Sequence, residues 1–354
     1  MITKETLTIE WIEKISKANR NADKILIEKV IRATLLLEGL SKSGIPFIFK
    51  GGTTALMLLL NSAKRLSIDI DIIISENRTD LDWIFNSFAE QQNFTRVELQ
   101  HRTQASAIDK AHYKFFYKPV HRTHEGEDAI LLDILFEANN YQNILRHEIK
   151  SGFIITTSQS AKVDIPSLED LLGDKLTAFA PNTTGIPYFK KDDSMSMEII
   201  KQLYDIGNLF DVIENLETIK MTFGKIVQTE IVYRNLKDIK SGDVLADIYR
   251  TALCISLRGA VYVENYDQLQ KGIQRLERFI FSEAYRLDKA IIHAAKAAYL
   301  LRLIATNQVD FERFSNPQEV ANAIIEQPHN TKLNKLKKSN VEAFFYWRKA
   351  TLLS

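Results

Sequence analysis

The feature that most constrains the fold of this 354-residue chain is an apolar run that contains two aspartates, SIDIDIII at residues 67–74. Isoleucine is β-branched and favours strands. Successive side chains of a strand alternate between its faces, so Asp69 and Asp71 share one face and the isoleucines around them share the other. Two neighbouring carboxylates repel each other, and their burial is costly unless a partner compensates. The run therefore predicts a strand with one apolar face and one face that binds a metal ion.

A glycine pair precedes this strand at a position where the chain is expected to turn. The segment PFIFK at 46–50 is typical of a short buried strand, and TTALMLLLN at 53–61 is typical of a helix. Gly51 and Gly52 lie between them, where a residue without a β-carbon lets the backbone approach a ligand closely. The free N–H groups at the start of the following helix attract an anion. This order of elements predicts a phosphate cradle beside a metal site.

The carboxylates also indicate the metal and a third ligand. Hard cations such as Mg²⁺ or Mn²⁺ prefer oxygen ligands, and two-metal sites hold their ions about 3.5–4 Å apart. The apolar strand AILLDILFEA at 129–138 carries Asp133. If that strand neighbours the Asp69 strand, Asp133 completes a metal triad and can accept the proton of an attacking hydroxyl. Glu137, on the same face, is the alternative carboxylate, and a buried Asp133 bonded only to backbone N–H groups is the structural alternative.

Hydrophobic periodicity predicts an α/β fold that changes character near residue 160. Up to that point helices alternate with strands, whereas from Pro166 onward the pattern is helical. We therefore predict a core domain with a mixed sheet at 1–160, followed by an all-helical C-terminal domain at 161–354 that completes the active-site cleft. The other predicted elements of the first half are helices at 22–44 and 80–92, the second with Thr79 as N-cap, and strands at 95–101, 112–118 and 153–157.

Lys175 lies within the apolar stripe of a helix predicted at 168–179. At about 100° per residue, Leu172, Leu176 and Phe179 fall on the same face, where a lysine either snorkels to solvent or reaches into a cleft. In a phosphate-binding cleft its ammonium would neutralise the charge of a triphosphate. If Lys175 contacts a triphosphate, Lys175→Met keeps the packing of the stem and removes only the charge, so we expect the stability to hold or rise, because desolvating an ammonium is costly.

Composition and charge narrow the class of protein. The net charge of +1 gives no sign of a general polyanion-binding surface. The single cysteine, Cys254, excludes an internal disulfide and fits a reducing compartment. The N-terminus lacks the apolar core of a signal peptide, and no run reaches the roughly eighteen apolar residues of a membrane span. We therefore expect a soluble cytoplasmic protein that has no membrane partner.

The stretch KGGTTALMLLLNSAKRLSIDIDIII resembles the AbiEii/AbiGii family of nucleotidyltransferase toxins, within the DNA polymerase β-like nucleotidyltransferase superfamily. That family has a lysine–glycine–glycine turn and an arginine-x-serine-x-aspartate-x-aspartate strand. The superfamily's usual glycine–serine pair is a glycine pair here, so Thr53 or Ser67 would supply the hydroxyl. The resemblance implies a nucleotidyltransferase-like sheet in the first domain, with Thr53 among the nucleotide-binding residues. The residues that match the two motifs are Lys50, Gly51, Gly52, Arg65, Ser67, Asp69 and Asp71.

The resemblance extends at lower specificity to about Asp211 and assigns further residues. It counts Lys175 in the active site and matches Asp205 to a second family aspartate. Asp205 lies at the edge of the apolar stripe of its helix, and Lys201, four residues earlier, is an alternative partner for it. The implied catalytic residues are Asp69, Asp71, Asp133, Lys175 and Asp205, with the metal held by Asp69, Asp71 and Asp133.

The resemblance also implies the reaction and its setting. An acceptor hydroxyl would attack the α-phosphate of an NTP in line and release pyrophosphate. The protein would be the toxin of a toxin–antitoxin or phage-defence system, with RNA or tRNA as acceptor and an antitoxin as partner. Two other functions stay open at this point: a small-molecule nucleotidyltransferase of the antibiotic-modifying kind, and a non-catalytic module that only holds a nucleotide.

Overall fold

The computed structural model describes residues 1–52, 65–76, 80–100, 109–121, 126–281, 283–326 and 329–353. The helix predicted at 53–61, which includes Thr53, and the predicted cap Thr79 lie outside these residues.

The chain divides into two compact units. The first comprises Met1–Ser167 and Phe279–Glu283, and the second comprises Leu168–Arg278 and Ala284–Ser354. The short return segment is bonded into the first unit, where the N–H of Leu66 donates to the carbonyl of Phe279 at 2.8 Å.

The described part of the first unit contains a mixed sheet of seven strands. The strands are β1 (Ile48–Lys50), β2 (Ile70–Ile74), β3 (Arg96–Leu99), β4 (Lys110–Tyr117), β5 (Asp128–Phe136), β6 (Ile144–Glu148) and β7 (Lys162–Pro166). Their order in the sheet is β3-β4-β5-β2-β1-β7-β6. The β2–β5 and β1–β7 pairs are parallel, and the other neighbouring pairs are antiparallel.

Alternation along β2 and β5 creates the apolar core of this unit. Ile70 and Ile72 of β2 lie beside Leu132 and Ile134 of β5, and all four side chains are buried. Three of the described helices contribute residues to the same core. They are α1 (Ile9–Ala18), α2 (Lys24–Lys42) and α3 (Leu81–Ala89), and 3₁₀ turns lie at Lys4–Leu7 and Glu90–Gln92.

The sequence prediction was wrong for one strand of this unit. Residues 153–157 form no strand, because their backbone bonds with the N-terminal segment instead of a sheet ladder. Thr3 N–H donates to the Ile155 carbonyl at 2.9 Å, and Trp11 Nε1 donates to the Phe153 carbonyl at 2.9 Å. The prediction also missed β6 and β7, whose sequences ILRHE and KVDIP mix charged and apolar residues. The other predicted strands and helices in the described part of this unit are confirmed within a few residues.

Within the described residues, the regular structure of the second unit is helical apart from a hairpin formed by β8 (Phe189–Lys190) and β9 (Asp193–Ser194). The helices are α4 (Leu168–Ala178), α5 (Ser196–Phe210), α6 (Leu216–Tyr233), α7 (Ser241–Ser256), α8 (Val263–Leu276), α9 (Leu287–Ala305), α10 (Asn330–Leu333), α11 (Leu336–Ser339) and α12 (Val341–Leu352), with 3₁₀ turns at Glu277–Phe279 and Pro317–Val320. Helix α9 packs against α5, α7 and α12, and α4 packs against α6. The α/β class with a helical C-terminal part is therefore confirmed.

Among the described residues, no helix combines the length and the apolar character that crossing a membrane requires.

The environment of Cys254 gives a test of the packing in the second unit. The thiol is buried, and its Sγ donates to the carbonyl of Tyr262 at 3.3 Å. Burial, and to a lesser extent the charge of Glu264, raises the pKa of this thiol to about 12. Only about one thiol in 10⁴ is then ionised at pH 8, whereas an unfolded cysteine has a pKa of about 8.5.

We predict that the native protein does not react with Ellman's reagent at pH 8, because the thiolate is both scarce and enclosed. In urea the same protein should release one equivalent of thionitrobenzoate, since the chain has one cysteine. Rapid stoichiometric reaction of the native protein would contradict the described packing.

Candidate active site

A row of polar side chains crosses four neighbouring strands of the sheet. Asp133 of β5 is in register with Asp71 of β2 and with His112 of β4, and Asp71 is in register with Lys50 of β1. Residues paired across strands project to the same face, and neighbouring strands lie about 4.8 Å apart. This polar row (His112, Asp133, Asp71 and Lys50) therefore has two carboxylates at its centre and a basic side chain at each end.

The carboxylates of the polar row lie on the face opposite the apolar core, and they are only half-buried. The Asp133 side chain is 42% exposed, and Asp71 and Asp69 are also intermediate between buried and exposed. The structural alternative, a buried Asp133 bonded only to backbone N–H groups, is therefore wrong. Its apolar neighbours Leu132 and Ile134 point into the core, whereas Leu131, on the same face as Asp133, is 41% exposed. Partial hydration lowers the cost of placing these like charges together.

A histidine that the sequence had not singled out contacts the third carboxylate. His112 Nδ1 lies 2.6 Å from Asp133 Oδ1. The His112 side chain is 14% exposed, so the imidazole is more enclosed than the carboxylate that it contacts. The alternation of HYKFFYK could have indicated it, since Tyr113, Phe115 and Tyr117 are buried in the core and His112 therefore belongs to the polar face.

The glycine turn lies against the residues that precede and begin the carboxylate strand. Gly51 has a φ of +95°, which favours glycine, and a β-carbon at this position would collide with Asp71 Oδ2. A β-carbon at Gly52 would collide with Arg65 Nη2 and would lie 2.9 Å from Ser67 Oγ. The structure thus brings together the lysine–glycine–glycine turn and the arginine–serine–aspartate segment, although the chain between them lies outside the described residues.

The donors of the polar row fit a hard divalent cation. Mg²⁺ commonly uses one or two protein carboxylates together with phosphate oxygens of the substrate, and Asp71 and Asp133 lie on adjacent strands of one face. Across the residues that the structure describes, no group of three or more His, Cys, Asp or Glu side chains is placed to hold a metal ion. Asp69 directly precedes β2 and stays a predicted third ligand.

The two site residues predicted in the second unit bind each other. Lys175 Nζ of α4 lies 3.3 Å from Asp205 Oδ2 of α5, and both side chains are less than 10% exposed. This pair was not predicted from the sequence. Lys201, the alternative partner of Asp205, has its ammonium 2.9 Å from Glu198 Oε1.

Comparison with protein families decides the class of this chain. The model for the nucleotidyl transferase AbiEii toxins of type IV toxin–antitoxin systems matches residues 35–288, well over half of the sequence. The chain belongs to this family. The resemblance first seen in the glycine turn and the carboxylate strand is therefore confirmed. As an AbiEii family member the protein is a nucleotidyltransferase, and the interpretation as a non-catalytic binding module falls away.

Two solved structures are similar to this AbiEii chain over most of their length. JHP933 from Helicobacter pylori is 15% identical, with coverage of 81% of this chain and 94% of that chain and a TM-score of 0.41. MenT4, a nucleotidyltransferase toxin from Mycobacterium tuberculosis, is 14% identical, with coverage of 83% and 98% and a TM-score of 0.45. No curated protein matches the chain.

The close approach of Gly51 to Asp71 leads to a first mutational prediction for the site. Gly51→Ala places an L-residue in a left-handed conformation, which costs about 1–2 kcal/mol. The added β-carbon also pushes the Asp71 carboxylate aside. We expect a large loss of nucleotide transfer in addition to the loss of stability.

Gly44→Ala is the matched control, because Gly44 has a φ of +79° but, among the described residues beyond its chain neighbours, no atom lies within 4 Å of its added β-carbon. It should cost about 1–2 kcal/mol of unfolding free energy in urea and keep near-normal transfer. Equal transfer by the two variants would show that the contact with Asp71 is unimportant.

The pair formed by Lys175 and Asp205 reverses the stability prediction for Lys175→Met. Removing one partner of a buried ion pair leaves the other charge uncompensated, which costs about 3–5 kcal/mol. We expect that loss in urea unfolding, and we expect Lys175→Met with Asp205→Leu to recover most of it. Lys24→Met, which breaks a more exposed pair with Glu13, should have little effect on the stability. Unchanged stability of the single Lys175→Met variant would argue against a strong pair.

Proposed function

We propose that this AbiEii protein transfers a nucleoside monophosphate from an NTP to a hydroxyl of an RNA acceptor and releases pyrophosphate. The observation that carries the proposal is the register of Asp71 with Asp133, which aligns two half-exposed carboxylates on adjacent strands. Such a pair suits a Mg²⁺- or Mn²⁺-bound triphosphate. Asp69, Asp71 and Asp133 would hold the cation, which when bound supplies positive charge to the triphosphate.

The residues of the chain would position the reactants, and positioning together with electrostatic stabilisation accounts for most of the catalysis of phosphoryl transfer. The turn at Gly51 and Gly52 would admit the phosphates close to the backbone. The Arg65 guanidinium, which contacts this turn, would offset phosphate charge. Asp133 is accessible enough to accept the proton of the attacking hydroxyl.

We further propose that the remaining predicted residues bind the nucleotide. Lys50 and Ser67 flank the glycine turn and the carboxylate strand. Thr53 would bind the nucleotide with them. Lys175 would neutralise triphosphate charge, with Asp205 holding its ammonium in place.

We propose that the protein acts as the toxin of a toxin–antitoxin or phage-defence pair whose antitoxin counteracts this transfer. Membership of a family assigned to type IV toxin–antitoxin systems supports a partner of that kind.

The decisive experiment is transfer of α-³²P-labelled nucleotide to total RNA by the purified protein with Mg²⁺. We expect wild type to label RNA, and we expect Asp71→Asn to lose about 10²–10³-fold in rate, the usual effect of removing an electrostatic stabiliser. Asp128→Asn is the matched control, because Asp128 lies on the same strand as Asp133 but pairs with Lys29 at 2.9 Å. EDTA should abolish the labelling by wild type.

The chemical nature of the labelled product separates the alternatives. A label that ribonuclease removes supports an RNA acceptor, whereas a label recovered on an aminoglycoside or another small alcohol supports the small-molecule function. Wild-type rates for Asp71→Asn would overturn the carboxylate site.

A further inference from the structure

The contact between His112 and Asp133 has a geometry suited to holding a carboxylate in one orientation. The separation of 2.6 Å between Nδ1 and Oδ1 is short even for a charge-assisted hydrogen bond. An ionised carboxylate can only accept, so His112 would donate from Nδ1 in this contact. The contact joins two residues in direct register across β4 and β5, so neither side chain has to extend to reach the other.

The backbone that carries His112 is itself held on both sides. The carbonyl of His112 accepts a hydrogen bond of 2.7 Å from the N–H of Gln100. The next side chain, Tyr113, is buried, packs edge-on against Phe85 at 4.8 Å between ring centroids, and donates its hydroxyl to Asp82 at 2.8 Å. The imidazole is therefore presented to Asp133 from a strand whose adjacent residue is anchored in the core.

Asp133 needs such a restraint because its neighbour in the sheet is another carboxylate. Asp71 lies in register on the adjacent strand, so the like charges favour rotation of Asp133 away from Asp71. Asp133 is also 42% exposed, so packing alone does not fix its rotamer. A donor on β4, on the side away from Asp71, limits that rotation to the one rotamer in which Oδ1 meets Nδ1 of His112.

We infer that His112 is a positioning residue for the metal-binding carboxylate Asp133: its Nδ1–H holds Oδ1 so that the carboxylate stays aligned with Asp71 for a divalent cation. This inference rests on the proposed metal-dependent function. Mutation of a group that orients a metal ligand commonly lowers metal affinity or activity by roughly 10–100-fold.

The test compares two amides at position 112. Asparagine places its amide nitrogen near the position of Nδ1 and keeps the donor, whereas glutamine places it near Nε2 and removes the donor from Asp133. We expect His112→Gln and His112→Leu to weaken Mn²⁺ binding to the NTP-free protein about 10–100-fold in calorimetry. His112→Asn should stay within a few-fold of wild type. At saturating Mn²⁺ the transfer rates should partly recover.

His147 provides a matched control in the same sheet. It lies on β6, and its Nδ1 contacts the backbone carbonyl of Glu148 at 2.8 Å. His147→Gln should therefore leave Mn²⁺ affinity unchanged. Melting temperatures identify any variant that fails to fold, and if His112→Leu unfolds, the asparagine–glutamine comparison decides alone.

The outcomes separate the inference from the proposed function. If wild type binds Mn²⁺ and the asparagine and glutamine variants bind it equally, His112 does not position Asp133, although the metal site stands. If wild type binds no Mn²⁺ with or without NTP, the proposed metal-dependent function fails and the inference fails with it. Loss of binding in the glutamine variant with retention in the asparagine variant supports the positioning role.

Discussion

The parallel register between β2 and β5 is the constraint on which the candidate site depends. It places Asp71 beside Asp133 and, through the same alternation, directs Ile70, Ile72, Leu132 and Ile134 into one apolar core. A slip of one residue would exchange the faces, burying carboxylates and exposing isoleucines. The free energy of core burial therefore also maintains the alignment of the two carboxylates, so that fold stability and site geometry share one cause.

Basic side chains on both sides of this carboxylate pair offset part of its negative charge. His112 contacts Asp133 from β4, and Lys50 lies in register with Asp71 on β1. The glycine turn that follows β1 lets the backbone lie against the Asp71 carboxylate, which a side chain at Gly51 would prevent. Partial exposure also lowers the repulsion, because two hydrated carboxylates at a given distance repel each other less than two dehydrated ones.

The helical unit contains two buried lysines that are paired with carboxylates. Lys175 and Asp205 are both almost fully enclosed and face each other, and Lys296, 4% exposed, contacts Asp211 at 2.7 Å and Glu342 at 3.2 Å. A buried pair is a weak source of stability, but it strongly penalises the loss of either member. Lys175 thus has a structural role beside the catalytic one proposed for it, and only measurements that separate stability from transfer can apportion the two.

The sequence by itself determined the strand with two aspartates, the glycine turn, the α/β class and the family, because alternation, glycine content and motif spacing are local properties. It did not determine which strands are neighbours, so the polar row and the contact of His112 with Asp133 had to come from the tertiary structure. The pairing of Lys175 with Asp205 was missed for the same reason, since thirty residues separate them in the chain. The prediction of a strand at 153–157 was wrong because the backbone of these residues forms hydrogen bonds with the N-terminal segment. Local pattern specifies which face of an element is apolar, whereas only the packed fold decides which polar groups meet on the other face.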